Sequence, residues 1–442
     1  MINDSRKYNF KEFEKSQKKD SKKGSHLKAL QRVFYSLIAM SSMLFVVIIG
    51  VLIMRSPAVQ AHNQTIGSVS TPTPTVPYTI PEILPRNIIC DRYFGELESL
   101  PEAVPYEHQE VRGLYLGAAS YLEENIEIAK NSEINAFVID LKESNGIYFD
   151  SDNPTARRIG YSWAAYDLEE VVARCHEEGI RVIGRLVCFK DPQIASVYPE
   201  RAICDINGEP LYFTNEGNKS FADPYNTDNW DYVIELAEEA IARGVDEIQF
   251  DYVRFPTGNT TTGMEPYYGE EGTVPSKAEC INRFLQTARI RIQDRLGVPI
   301  SADIFGIVVT SSLDGEIIGQ DWETVGLTQV DSLCPMIYPS HYALGTMMNH
   351  ITFEKPDLDP YGVMYNALLI GSEHSNQEGY SIVRPYLQAF TAAYIGRGNY
   401  MEYDYEAIND QIRGLQDAGF NEFILWNAGC QYPEGNYGGN ND

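Results

Sequence analysis

The chain has 442 residues, 43% of them hydrophobic, and a formal net charge of −27. That is enough apolar sequence for one large domain with appendages or for two domains, and the acidic excess argues against a nucleic-acid backbone as ligand. Seven cysteines, in no CxxC or zinc-type spacing, argue against a cysteine-held metal; Cys188 in "RLVCF" and Cys334 in "SLCPMIY" read as small core hydrophobes.

The charge is uneven along the chain. Residues 1–32 carry ten lysines and arginines against four acidic residues, and everything after Arg55 is acidic. Between Arg32 and Arg55 lies "VFYSLIAMSSMLFVVIIGVLIM", Val33 to Met54, without one charged residue. As a helix it would be about 33 Å long, enough for a hydrocarbon layer of about 30 Å. A secretory signal has an apolar region of only about 7–15 residues behind a short leader. The long basic leader therefore favours a retained single-pass anchor, with residues 1–32 in the cytoplasm and the acidic body extracellular. A cleaved signal, with "AVQA" ending at Ala61 as its site, ranks second. "TPTPTVPYTIPEILP", Thr71 to Pro85, reads as an extended stalk, and residues 55–105 as a linker without catalytic residues.

From Val111 onward short apolar runs alternate with amphipathic stretches. The runs are "VRGLYLG" (111–117), "NAFVIDLK" (135–142), "RVIGRLVCF" (181–189), "EIQFDYVRF" (247–255), "PISADIFGIVV" (299–309), "SLCPMIYPS" (332–340), "IVRPYLQAF" (382–390) and "NEFILWNA" (421–428). Helices are predicted over 167–179, 226–244, 276–297 and 404–419, most closed by glycine just before the next strand. Eight strands in βα alternation predict a (β/α)₈ TIM barrel over residues 106–442. A doubly wound sheet competes, but no GxGxxG follows the first strand. No eighth full helix fits after Ala428, and the segment before Val111 is a candidate to cover that gap.

Chemistry in such barrels sits where strands end and βα loops begin. Those ends carry Asp140, Lys142 and Glu143; Lys190 and Asp191; Asp251 and Arg254; Asp303; Tyr338, His341 and Tyr342; Arg384 and Gln388; and Trp426 and Asn427. Several carboxylates with aromatics around them suit glycoside hydrolysis, which needs an acid for the leaving oxygen and a carboxylate to attack or to activate water. Asp251 and Asp303 are the paired catalytic candidates, because strands four and five end close together. Arg254 is expected to pair with Asp251 or another of these carboxylates. Taken singly, Asp140 is equally a salt-bridge partner of Lys142, and Trp426 a core aromatic. Only His341 among the histidines lies at a strand end, and no HxH, HExxH, GxSxG or P-loop occurs, so neither a metal nor another cofactor is expected.

The strings "GVDEIQFDYVRFP", "ADIFG", "IGQDWE", "MIYPSHY", "IVRPYLQAF" and "FILWNAG", in this order, resemble the glycoside hydrolase-like family DUF4015, and "FVIDLKESNG" and "VCFKDP" fit the same pattern. The resemblance spans about Val111 to Tyr432. It implies a glycosidase-related barrel and supports the strand-four aspartate, Asp251, as a catalytic residue, without supplying a substrate. The role of Asp303 is by analogy with barrel glycosidases whose second carboxylate follows strand five. The resulting expectation is a membrane-anchored extracellular glycoside hydrolase acting on a polysaccharide. Asp251 would be nucleophile or base and Asp303 acid/base; Asp140, Lys142, Glu143, Asp191, Arg254, Tyr338, His341, Trp426 and Asn427 would bind substrate. The alternatives are a non-catalytic, wall-tethering sugar-binding barrel and a different hydrolase or lyase in the same pocket. Carboxylate separation discriminates: about 5–5.5 Å suits retention and about 6.5–9.5 Å inversion, whereas one isolated carboxylate favours binding alone.

Overall fold

The computed structural model describes residues 87–160 and 164–438. The basic tail, the apolar run 33–54 and the threonine/proline tract lie outside the described residues, and among those described no helix is long and apolar enough to cross a membrane.

Eight strands close a parallel barrel: β1 (Arg112–Gly117), β2 (Ala136–Glu143), β3 (Arg181–Val187), β4 (Glu247–Asp251), β5 (Ile300–Phe305), β6 (Ser332–Ile337), β7 (Ile382–Val383 and Tyr386–Gln388, interrupted at Pro385) and β8 (Phe423–Trp426). Each pairs with the next in chain order, and β8 pairs back to β1, so the barrel has no open edge. Every strand falls on a run expected from the sequence.

The four expected helices are present, and further helices lie between other strands. α1 is Leu122–Lys130, α2 Leu168–Glu177, α3 Thr227–Ala242 and α4 Lys277–Ala288, the last continuing as a wider π turn over Arg289–Asp294. The four-residue α5 (Trp322–Val325), α6 (Pro360–Ser375) and α7 (Tyr405–Asp417) complete the outer ring. Local chemistry sets their ends. Asp167 and Asn226 cap α2 and α3, and Ser276 with Glu279 forms a reciprocal capping box on α4. Gly179, Gly244 and Gly419 sit at φ of 72°, 99° and 92°, which turn the chain from helix to strand.

Two apolar layers result. Outward residues such as Phe137, Leu186, Ile248, Phe250 and Ile304 pack against helix residues Ile126, Val172, Leu236 and Phe284. Inside the barrel a smaller cluster, including Val138, Ile183, Cys334, Tyr386 and Ile424, fills the lumen. All seven cysteines are free thiols.

Two expectations need correction. The linker does not run to residue 105. Asn87 caps a short helix, Ile88–Phe94, whose Asp91 pairs with Arg283 of α4 at 2.7 Å and whose Phe94 ring meets Trp230 at 4.7 Å. Proline spacing stops at Pro85, and of the side chains that follow Cys90 is buried and Phe94 partly buried against the body. Nor does this segment fill the place of an eighth helix. It passes under the barrel, where Tyr106 and His108 contact Asp331 at the start of β6 and His108 also meets Glu422 just before β8. The stretch 431–438 lies beside β1 and α1 instead: Tyr432 Oη donates to Tyr115 O at 2.7 Å, and Glu133 N donates to Tyr437 O at 3.1 Å.

Candidate active site

β4 explains its own charges by its two-residue period. Ile248 and Phe250 face the helices, so Glu247, Gln249 and Asp251 face the lumen. Each finds partners at its own level. At the floor, Glu247 accepts from Arg384 at 2.6 Å and Ser301 at 2.7 Å. In the middle, Gln249 accepts from Tyr386 at 2.6 Å across the barrel. At the mouth, Asp251 meets Arg185 of β3.

Arg185 organises that mouth. Its Nε and Nη2 donate to Asp251 Oδ2 at 2.9 and 2.6 Å, and its Nη1 reaches Asp140 Oδ1 at 2.5 Å and Glu143 Oε1 at 2.7 Å. Asp303 Oδ2 lies 3.9 Å from Arg185 Nε. Because Asp251 Oδ2 and Asp303 Oδ2 are 2.9 and 3.9 Å from that one nitrogen, they are at most 6.8 Å apart. Register agrees: one step beyond the Phe250–Ala302 pair, Asp251 stands beside Asp303 on strands spaced about 4.8 Å. The two carboxylates are neither at opposite ends nor isolated.

Their surroundings differ. Asp303 is 2% exposed and its Oδ1 is buried without a hydrogen-bond partner. Burial and, after it, the negative charge of Asp251 push its carboxyl well above the usual carboxylate range against the pull of Arg185. Asp251, in contact with the guanidinium, also accepts its neighbour's N–H, Tyr252 N to Oδ1 at 2.5 Å. That bond depends on Tyr252 standing at φ 50°, a left-handed conformation costly for a tyrosine, at the point where the chain leaves β4. Glu143 is drawn below the usual range by Arg185 and the Ser144 N–H despite its burial, whereas burial raises Asp140.

Aromatics wall the mouth. Tyr115 donates to Asp140 Oδ2 at 2.6 Å, and its ring stacks 6.0 Å from Trp426. Trp426 also meets Tyr338 at 5.8 Å and Phe390 at 5.3 Å. Tyr338 is buried, and its phenol is raised by that burial and by the charges of Asp303 and Asp251.

Of the residues expected to bind substrate, Asp140, Glu143, Tyr338 and Trp426 are brought together with Asp251 and Asp303, and His341 stands exposed at the rim 4.9 Å from the Tyr338 ring. The others are not. Arg254 pairs at 2.9 Å with Glu216, on the loop between β3 and α3, and not with Asp251; it follows the left-handed turn at Tyr252. Lys142 and Asp191 form a buried pair at 2.9 Å, and Asp191 caps the helix Pro192–Val197, so both are spent on structure. Asn427 holds its own turn, donating to Ala389 O and Gln431 O and accepting from Gly429 N. Arg384 belongs to the floor, not the mouth. Sequence reasoning missed Arg185 and Tyr115. The signal for Arg185 was the one that exposed Asp251: a lone charge inside an apolar strand. Among the described residues no cluster of histidine, cysteine and carboxylate side chains could hold a metal ion.

No curated protein matches the chain. A hypothetical protein from Ruminiclostridium thermocellum ATCC 27405 aligns at 39% identity over 43% of this chain and 96% of its own, with a TM-score of 0.38. The PgaB (BpsB) glycoside hydrolase domain from Bordetella bronchiseptica shares the barrel fold, with a TM-score of 0.51 at 13% identity over 73% of this chain and 95% of its own. The α-galactosidase TtGalA from Thermus thermophilus aligns at 14% identity over 73% of this chain and 59% of its own, with a TM-score of 0.44. Residues 111–432 match the family DUF4015, described as "Putative glycosyl hydrolase domain", and since that match takes in the whole barrel from β1 to the turn after β8, the chain belongs to this glycosyl hydrolase family.

Proposed function

We propose that this protein is a membrane-anchored extracellular glycoside hydrolase that cleaves a polysaccharide with Asp251 as nucleophile and Asp303 as acid and base. One observation carries the reading: two neighbouring carboxyl groups in unlike surroundings, Asp251 hydrogen-bonded to Arg185 and Asp303 buried with its carboxyl raised. In the first step the protonated Asp303 gives its proton to the glycosidic oxygen while Asp251 attacks the anomeric carbon, so the leaving sugar departs as an alcohol. In the second, Asp303 takes a proton from water, whose oxygen displaces Asp251 from the sugar. The ceiling of 6.8 Å between the two Oδ2 atoms accommodates the spacing of about 5–5.5 Å typical of retaining enzymes. Asp140, Glu143 and Tyr115 would orient hydroxyl groups, and the Trp426 face would stack on the ring. The uncharged run Val33–Met54 behind a basic tail supports the anchor, and the proline tract after it supports a stalk that holds the barrel off the membrane.

The test is a digest of cell-wall and capsule polysaccharides by the detergent-solubilised full chain, following new reducing ends and the anomer first released. Release with retained configuration supports the reading. Binding without release would make the barrel a sugar-binding module, and inverted products would remove Asp251 as nucleophile.

A further inference from the structure

Beside the carboxylate site a second concavity opens on the same face of the barrel. It is a cleft of about 310 Å³ between the turn after β6 and the loop after β7, with Ser340, His341, Asp357 and Asn399 in its lining. Its floor is built, not incidental. Gln388 Oε1 accepts from Ser340 N at 3.1 Å, Gln388 Nε2 donates to Asp357 Oδ1 at 2.9 Å, and Gln411 holds Gln388 from behind at 2.8 Å. Next to the lining residue Ile395, Tyr394 is 68% exposed and its hydroxyl is bonded to the lining residue Ser340 Oγ at 3.1 Å, so an exposed aromatic ring is tethered beside the cleft. Among the described residues the His341 ring has no side-chain hydrogen bond and one ring contact, to Tyr338 at 4.9 Å. Tyr338 in turn meets Trp426. An aromatic strip thus leads from the catalytic carboxylates to the cleft.

We infer that this cleft is a sugar-binding subsite for a neighbouring, uncharged unit of the same glycan chain, with the unit stacked on Tyr394 and its hydroxyls bonded to His341 and Asn399. The inference rests on the glycosidase reading and extends it to an enzyme that grips a chain of several sugars. Three features select this occupant. The space is at the lower end of small-ligand pockets, about 300 Å³ and up, which suits a single ring better than a protein segment. The lining contains a carboxyl group and no lysine or arginine, which disfavours a uronate or phosphate-bearing unit. The exposed, pinned tyrosine offers an apolar face with little ordering cost.

The experiment uses the full chain in detergent with Asp303→Asn to stop turnover, and titrates it calorimetrically with cellohexaose, maltohexaose and the N-acetylglucosamine hexamer, each beside its dimer. At least one hexamer is expected to bind tenfold or more tightly than its dimer, and adding Tyr394→Ala should remove most of that gain while the melting temperature stays the same. Equal affinities for hexamer and dimer, a loss under threefold on adding Tyr394→Ala, or no binding by any hexamer would each overturn the subsite. The polysaccharide digest decides the catalytic reading separately, so cleavage without length-dependent binding would sink the subsite alone.

Discussion

Asp303 is buried with one carboxyl oxygen that has no hydrogen-bond partner. A raised carboxyl is a cost that folding bears only when the group is ionised in the unfolded chain. Stability held below the unfolded value of about 3.9 is therefore lost as pH rises toward the higher folded value. Asp303→Asn removes that cost, so the variant should melt above wild type at pH 7, with the difference shrinking to little at pH 4. Calorimetric scans at both pH values check this, and an unchanged gap would mean that Asp303 is ionised in the folded protein. The same substitution should lower kcat by about 10²–10⁴-fold, because an amide cannot deliver the proton. In the wild type, kcat/KM should fall on the alkaline side as Asp303 loses its proton. If both results hold, Asp303 makes the fold less stable and the reaction faster, the trade expected of an active-site group.

At the scale of elements, β4 and the loop after it assign two arginines to different tasks. Arg185 gathers three carboxylates at the mouth, whereas Arg254 is buried with Glu216 and stacked 4.6 Å from the Phe305 ring. Breaking a buried pair from one side costs about 3–5 kcal/mol, since the remaining charge has nothing to offset its lost hydration. Glu216→Leu should therefore lower unfolding free energy by about that amount in urea titrations. Asp251→Asn should leave stability within about 1 kcal/mol of wild type while abolishing most turnover, as Arg185 keeps Asp140 and Glu143 as acceptors and is not left unpaired. Comparable destabilisation by both would place Asp251 among the structural acids.

At the scale of the whole molecule, the segment before β1 is fastened beneath the barrel by His108. Burial opposes its charge, but Asp331 and Glu422 on either side hold its pKa up to about 10. Since that folded value lies above the unfolded one of about 6.5, the contribution is complete below about pH 6.5 and is lost as pH rises toward 10. The stability difference between wild type and His108→Gln should be constant in mildly acidic solution and close between neutrality and pH 10. A difference that persists at pH 10 would mean packing, not charge, holds the segment. Topology is tested on cells: protease added outside should digest the barrel and spare residues 1–32, and protection of the barrel until lysis would reverse the proposed orientation.

The β-strands were legible because parallel barrel strands bury one face against helices, and that leaves runs such as "NAFVID" and "EIQFD" whatever their neighbours. Helix ends were legible for a local reason as well: the Ser276–Glu279 box and the glycines at 179, 244 and 419 act within a few residues of chain. That Asp251 and Asp303 are neighbours could be read from position alone, since consecutive strands of a barrel place them side by side. The partners of the charges could not. Arg254 follows Asp251 by three residues and pairs 38 residues back with Glu216, while Asp251 is served by Arg185, 66 residues away. Lys142 and Glu143 are adjacent in sequence, yet a bulge in β2 after Asp140 sends Lys142 to Asp191 and Glu143 to Arg185. Which acid meets which base depends on distances across the closed barrel, in which the eighth strand returns to the first, and on a left-handed turn at Tyr252.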